Sequence, residues 1–328
     1  MTIKFLIKRI LRTNILKMIR TAKNISKKSS MSTPTVIKDM VHCAKKFGAG
    51  YNDYQEFEFY NITDKKRATF LTQTKNNEII HRYNNQNEFY RLNDKLKFSQ
   101  EFKEFTHRQI FDLATITENE FNILLKSPRF VIKPRTGSGG IHVKIMNSKN
   151  APELTTLQKM YPNCIVEEYI QQHNELNRIY AKSLNTLRIF TFFDGTNVHV
   201  VNAVIKFGNN TCVDNFSSGG MYAFIDSTGT IDTPAIDKDD NIYTHHPVTH
   251  QPIQNIIIPN YNAVKETAIR AAKKIPEIRY IGWDIAITET NIVIVEGNPY
   301  PGIFQKRPSF TENEEGLLSL YSKYMNEL

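Results

Sequence analysis

Residues 283–302 read WDIAITETNIVIVEGNPYPG. Ile285, Ala286 and Ile287, and then Ile292 to Val295, are mostly β-branched residues that fit a pleated, buried sheet. The polar Glu289-Thr290-Asn291 between them predicts a hairpin turn. With a loop of those three residues, Thr288 faces Ile292 and Asp284 faces Glu296. Side chains two apart share a face of the strand, which adds Asn298 to the pair. Opposed carboxylates repel, and burying them is costly without a counter-charge. A hard divalent cation reverses that sign, and an all-oxygen Asp/Glu/Asn set suits magnesium. The plainer alternative is two exposed acids at the ends of an ordinary hairpin.

The rest of the chain sets the context for this hairpin. At 328 residues and 40% hydrophobic, it can bury a sizeable core. Cys43, Cys164 and Cys212 are widely spaced, form no metal pattern and point to a reducing, cytoplasmic compartment. The net charge of +9 invites a nucleic-acid reading, but its placement opposes that. Nine of the 42 Lys and Arg lie in residues 1–30, which hold no acid, so the remainder has 33 bases against 33 acids. A neutral body is a poor footprint for neutralising a nucleic-acid backbone.

The basic tail has helical periodicity. Ile3, Ile7, Ile10, Leu11, Ile15, Met18 and Ile25 fall on one side, most of the bases fall on the other, and Phe5, Leu6, Leu16 and Ile19 blur the boundary. This predicts a helix lying on anionic lipid, a peripheral membrane contact through residues 1–28. Charge interrupts it too often for a bilayer span. Two alternatives are a start at Met31 and a transit leader.

Further along, short helices are expected in YNDYQEFEFYNITDKKRATFLTQ, one from Asp94 to about Phe105, and one after a Thr117/Glu120 capping box that Pro128 stops. RFVIKP (129–134) predicts a strand ending in Lys133, followed by the glycine-rich RTGSGG and an alternating strand. CIVEEYI (164–170) predicts another strand. Residues 185–208 predict a long hairpin turning at Asp194-Gly195, and 262–275 a helix. A strand-end lysine before a glycine loop offers a point charge and N–H donors to phosphate oxygens. It is not a Walker loop, because the lysine precedes the glycines. THHPVTH (His245, His246, His250) lacks a recurrent zinc spacing and reads as a solvated or substrate-side loop.

A lysine-glycine loop, a Glu-Glu-Tyr-Ile strand, an arginine strand and an Asp…Glu-x-Asn hairpin, in that order, resemble the ATP-grasp superfamily. DYQEFEFYNIT, NDKLKFSQEF, SLNTLRIFTF, VDNFSSGGMYAFID and YIGWDIAIT…VIVEGNPYPG resemble its sugar-transfer-associated family, found with capsular and surface polysaccharide synthesis. The match extends over nearly all of 40–302. The resemblance implies an α+β fold with nucleotide held between two α+β subdomains after a mainly helical N-terminal region. The expected divisions are a tail (1–30), a helical region (31–94), a nucleotide-lid subdomain (95–172) and a catalytic subdomain (173–328).

The resemblance also implies roles, position by position. Lys95 and Lys133 would hold ATP phosphates under a loop of Thr136, Gly137, Ser138, Gly139 and Gly140. Glu167, Glu168, Tyr169 and Ile170 would edge the adenine, chiefly through the backbone, and Asn174 or Glu175 would reach the ribose. Asp284, Glu296 and Asn298 would hold two magnesium ions, with manganese as the substitute. Arg188 and Lys206 would face the γ-phosphate. Asn215, Ser217, Ser218, Gly219 and Gly220 would form a substrate-side loop. The implied reaction is a carboxylate–amine ligation through an acyl phosphate, on a small carboxylate and an amine or sugar-derived acceptor. A phosphotransferase with a hydroxyl acceptor and a non-catalytic component of a polysaccharide complex are the rivals. Fold membership alone does not choose among them.

Overall fold

The computed structural model describes residues 14–325. The chain forms two compact units, one of residues up to Ile79 together with Ile303 onward, the other Ile80–Gly302.

The first unit is helical. Asn14 accepts a hydrogen bond from the Lys17 amide (3.0 Å) and caps a helix over Ile15–Lys28. Ser32 caps the next, Thr33–Lys46, with Pro34 in its first turn. Ala22 and Ile25 of the first helix join Val36, Met40, Cys43, Phe47, Phe57, Phe59 and Phe70 in one apolar cluster. Arg67 is buried beside it, held by Asp39 (2.6 and 3.0 Å) and the Phe59 carbonyl. Residues 15–28 are therefore not a free amphipathic tail. Their apolar side covers a protein core, and Ile25 is 2% exposed. Ile15 and Leu16 remain outside, at 54% and 80%. Ile3, Ile7, Ile10 and Leu11 lie outside the described residues. No described helix is long and apolar enough to cross a membrane.

A chain beginning at Met31 loses this cover. A fully buried Ile contributes about 1.5–3 kcal/mol, so thermal unfolding should show the first unit melting at a lower temperature than in the full chain. Superimposable melting curves would remove Ile25 from the core.

The second unit carries two antiparallel sheets. One has the order β1-β4-β2-β3, with β1 at Ile110–Asp112, β2 at Arg129–Pro134, β3 at Lys144–Asn147 and β4 at Cys164–Glu168. The other runs β11-β10-β5-β6-β7-β8-β9. Its strands are β5 (Leu187–Phe193), β6 (Val198–Phe207), β7 (Met221–Phe224), β8 (Ala235–Asp237), β9 (Ile242–Tyr243), β10 (Tyr280–Ile287) and β11 (Ile292–Asn298). β10 is buried along its whole length, as its near-continuous apolar run requires, and the Tyr261–Lys273 helix lies against β5, β6 and β10. The capping box at Thr117 and Glu120 starts a helix over Glu118–Leu124.

The hairpin keeps its acids opposed by a different route from the one expected. Ile287, not Thr288, faces Ile292, and the turn has four residues, closed by the Thr288 amide on the Asn291 carbonyl at 2.9 Å. A bulge then gives β11 one extra residue, Val295, between Ile285↔Ile294 and Asp284↔Glu296. The bulge cancels the one-residue slip at the turn. On the other side of β10, Asp284 faces Arg188 of β5.

Candidate functional site

A cavity of about 470 Å³ is lined by residues of both sheets. Val131, Val143, Ile145, Tyr169, Ile170, Leu184 and Val295 give it apolar walls. Lys95, Lys133, Lys206, Glu167, Asp214, Asp284 and Glu296 line it as well. Thr136, Gly137, Ser138, Gly140, Glu168 and Asn215 complete the expected residues found there.

Strand pairing places the charges. Asp284 is buried, and Arg188 grips it with Nε on Oδ1 (2.6 Å) and Nη2 on Oδ2 (2.9 Å). Lys206 Nζ reaches Oδ1 at 3.0 Å. Burial alone would raise the Asp284 carboxyl, but Arg188 and Lys206 hold it well below the usual carboxylate range. Among the described residues Glu296 forms no ion pair; it accepts a long hydrogen bond from Asn298 Nδ2 at 3.4 Å. Burial, and then the neighbouring Asp284, push its carboxyl up. Glu296 is thus a half-buried acid with no ion-pair partner among the described residues, although Lys95, Lys133 and Lys206 lie near enough to oppose that rise.

On the other sheet Glu167 Oε1 meets Lys133 Nζ at 2.6 Å, and Oε2 accepts from Arg108. Burial would raise this carboxyl, and Arg108 and Lys133 together hold it down. Glu168 accepts from the Gln109 amide at 2.8 Å. Lys95 donates to the Gly137 carbonyl at 2.7 Å, and burial lowers its ammonium.

The glycine loop meets the segment expected to hold substrate. Ser218 Oγ donates to the Gly139 carbonyl at 2.7 Å. Gly140 has φ +68°, and a Cβ there would press on Val213 at 3.0 Å. At Gly220 a Cβ would overlap the Asp214 carbonyl.

Several expected residues stand elsewhere. Arg188 is not in the cavity lining; its charged head is spent on Asp284. Glu175 also lies outside the lining, paired with Arg178 at 2.8 Å, and Asn174 is likewise absent from it. Gly139, Ser217, Ser218, Gly219, Gly220 and Asn298 flank the cavity in sequence without lining it. His246 is not solvated. It is buried, stacks on Tyr180 at 4.6 Å and bonds the Gly208 carbonyl at 2.9 Å. Among the described residues no cluster of three His, Cys, Asp or Glu could hold a metal ion.

Sequence reading missed Asp214, Thr186 and Arg108. Thr186 donates to Asp214 Oδ2 through both its amide (2.8 Å) and its hydroxyl (2.5 Å). The signal for Asp214 was available: an acid immediately before the Asn215–Gly220 segment. Arg108 sits between a helix and a short strand with no motif around it.

A model of the sugar-transfer associated ATP-grasp family matches residues 74–319. No curated protein sequence matches significantly. Among solved structures, the ATP-grasp ligase PsnB complexed with a minimal precursor is 14% identical, with a TM-score of 0.41, over 67% of this chain and 55% of PsnB. The D-alanine–D-alanine ligase of Bacillus anthracis is 13% identical, with a TM-score of 0.40, over 70% of this chain and 66% of the ligase. An L-amino acid ligase from Bacillus licheniformis is 14% identical, with a TM-score of 0.39, over 64% and 41%. The chain thus spans about half of the first of these structures. With the family match covering most of its length, the chain belongs to the sugar-transfer associated ATP-grasp family.

Proposed function

We propose that this protein is an ATP-dependent carboxylate–amine ligase acting on a cell-surface polysaccharide or its precursor. The observation that carries the reading is the convergence of Lys95, Lys133, Lys206, Asp284 and Glu296 on one apolar-walled cavity between two sheets. Apolar walls with a few converging charges suit a nucleotide. Val131, Ile145 and Ile170 would cover the base, and the backbone of Glu168–Ile170 would edge it. Lys133 and Lys95 would take phosphate oxygens, Lys95 by leaving the Gly137 carbonyl.

Asp284, Glu296 and Asn298 would hold magnesium. The fit rests on Glu296, a partly buried carboxylate with no ion-pair partner among the described residues, whose repulsion from Asp284 such an ion would relieve. When bound, the ion neutralises phosphate charge. The reaction that suits these residues is attack of a substrate carboxylate on the γ-phosphate, releasing ADP and forming an acyl phosphate. An amine then displaces phosphate. Lys206 would neutralise the transferred phosphoryl group, while Arg188 would position Asp284. No side-chain nucleophile is required; the residues orient and neutralise. The deciding experiment screens carboxylates with amines, and sugar alcohols, for ADP release with product mass. An amide product supports the ligase, and a phosphorylated alcohol overturns it.

Lys133→Ala should weaken binding of a non-hydrolysable ATP analogue about 10–100-fold, and the exposed Lys159→Ala should not, by calorimetric titration. Equal affinities would remove Lys133 from the phosphate site.

A peripheral contact with anionic membrane, on the inner face of the cell membrane, is proposed for the exposed Ile15 and Leu16 with Lys17, Arg20 and Lys23. Each base near such a surface contributes about 1 kcal/mol. Leu16→Asp with Lys17→Glu should reduce sedimentation with phosphatidylserine vesicles; unchanged sedimentation ends the proposal.

A further inference from the structure

Arg108 touches both sheets at the site. Nε and Nη2 donate to Glu167 Oε2 at 3.1 and 3.0 Å. Nη1 donates to the Ile294 carbonyl at 3.2 Å and Nη2 to the Val295 carbonyl at 3.4 Å. Those carbonyls belong to the bulge that brings Glu296 opposite Asp284. The other oxygen of Glu167 holds Lys133. Arg108, Glu167 and Lys133 are all buried, their side chains 4%, 6% and 8% exposed.

Charge balance separates two roles for such an arginine. Lys133 and Glu167 alone would make a neutral pair, and a lysine neutralised by a carboxylate 2.6 Å away attracts a phosphate weakly. Adding Arg108 leaves the trio with one net positive charge. In a buried site this charge is little screened. Arg108 is fully occupied by an oxygen of Glu167 and three backbone carbonyls, the third being Thr106 at 3.2 Å. The net charge is therefore presented to the cavity through Lys133, which lines it, while Arg108 does not.

We infer that Arg108 is a positioning residue: by neutralising Glu167 it keeps Lys133 attractive to nucleotide phosphates, and by holding the bulge it ties that lysine's sheet to the strand of Glu296. The inference rests on the nucleotide-binding reading of the cavity.

The test titrates the full chain with magnesium and a non-hydrolysable ATP analogue, with a thermal melt of each variant. Arg108→Met should lower affinity on the order of 10–100-fold. Adding Glu167→Gln should recover most of that loss, because Lys133 is then released from its ion pair with Glu167. A purely structural Arg108 gives the opposite result, since the second substitution adds damage. The inference is overturned if Arg108→Met binds like the wild type, or if the double variant binds no better than the single one. If methionine prevents folding, Arg108→Lys takes its place. It keeps the charge but not the guanidinium's bonds to Glu167 and to the bulge carbonyls, so affinity should fall by less than about tenfold, and a loss of about a hundredfold overturns the charge argument. If the wild-type chain itself does not bind the analogue, the nucleotide reading fails first, and the two failures are distinguishable.

Discussion

Glu296→Gln is expected to abolish magnesium-dependent ADP formation while leaving the protein at least as stable as before. Glu296 has no ion-pair partner among the described residues, and it faces another acid across the ladder. Burial and Asp284 raise its carboxyl above the usual range, so the fold favours its protonated form. Glutamine copies the shape and neutrality of that form. For a carboxyl raised in the folded state, stability is present in full at low pH and is lost as pH rises through the raised value. Without magnesium, the variant and the wild type should therefore melt together below about pH 4, under the range where unfolded carboxyls titrate, and the variant should melt higher near pH 8. Turnover should fall by about 10³-fold or more, since the ion loses one of two charged ligands and the charge on the phosphates goes unmatched. Turnover within tenfold of the wild type would remove Glu296 from the metal site. A lower melting temperature at pH 8 would mean that its charge stabilises the fold.

Asp284→Asn should behave differently, although the two acids face each other. Asp284 is the shared anion of Arg188 and Lys206, with every partner buried. Removing its charge leaves two buried cations with only Asp214, whose Oδ1 is 3.9 Å from Lys206, and the opposed Glu296 as nearby acids, neither in hydrogen-bond contact. Breaking a buried pair from one side costs about 3–5 kcal/mol, a large share of a typical domain's stability. Both turnover and the denaturation midpoint should fall, the latter measured in urea with ADP formation in parallel. A midpoint unchanged from the wild type would show that water or rearrangement already screens this cluster.

What the sequence revealed and what it hid divide along physical lines. The Asp284/Glu296 pairing was legible because strand periodicity fixes neighbours across one turn, and Lys133 because it ends a strand just before a glycine loop; the Glu167–Ile170 stretch entered as a site only through the family resemblance. The Arg188–Asp284 grip was not, because it joins strands 96 residues apart. Arg108 was hidden for the same reason, its partners lying 59 and 186 residues away. The first helix was only half legible. An apolar stripe facing a basic one looks the same whether it covers lipid or protein, and the alternation of Met18, Ala22 and Ile25 with lysines could not say that Val36 and Met40 were waiting beneath it. His246 repeats that lesson: a polar-looking segment conceals a ring stacked on Tyr180.

The hairpin has a further property. A three-residue loop with a regular ladder and the observed four-residue loop with a bulge at Val295 both bring Asp284 and Glu296 together. They are two isomers of one hairpin that share the acid pair and differ in which face Ile292 to Ile294 present. Sequence change at the tip is thereby uncoupled from the acids. A substitution at 288–291 that favours the tighter turn would turn packed side chains outward and be felt as lost stability, while the distance between the two carboxylates stayed the same. Selection on the turn and selection on the acid pair can proceed independently, with Val295 as the joint between them.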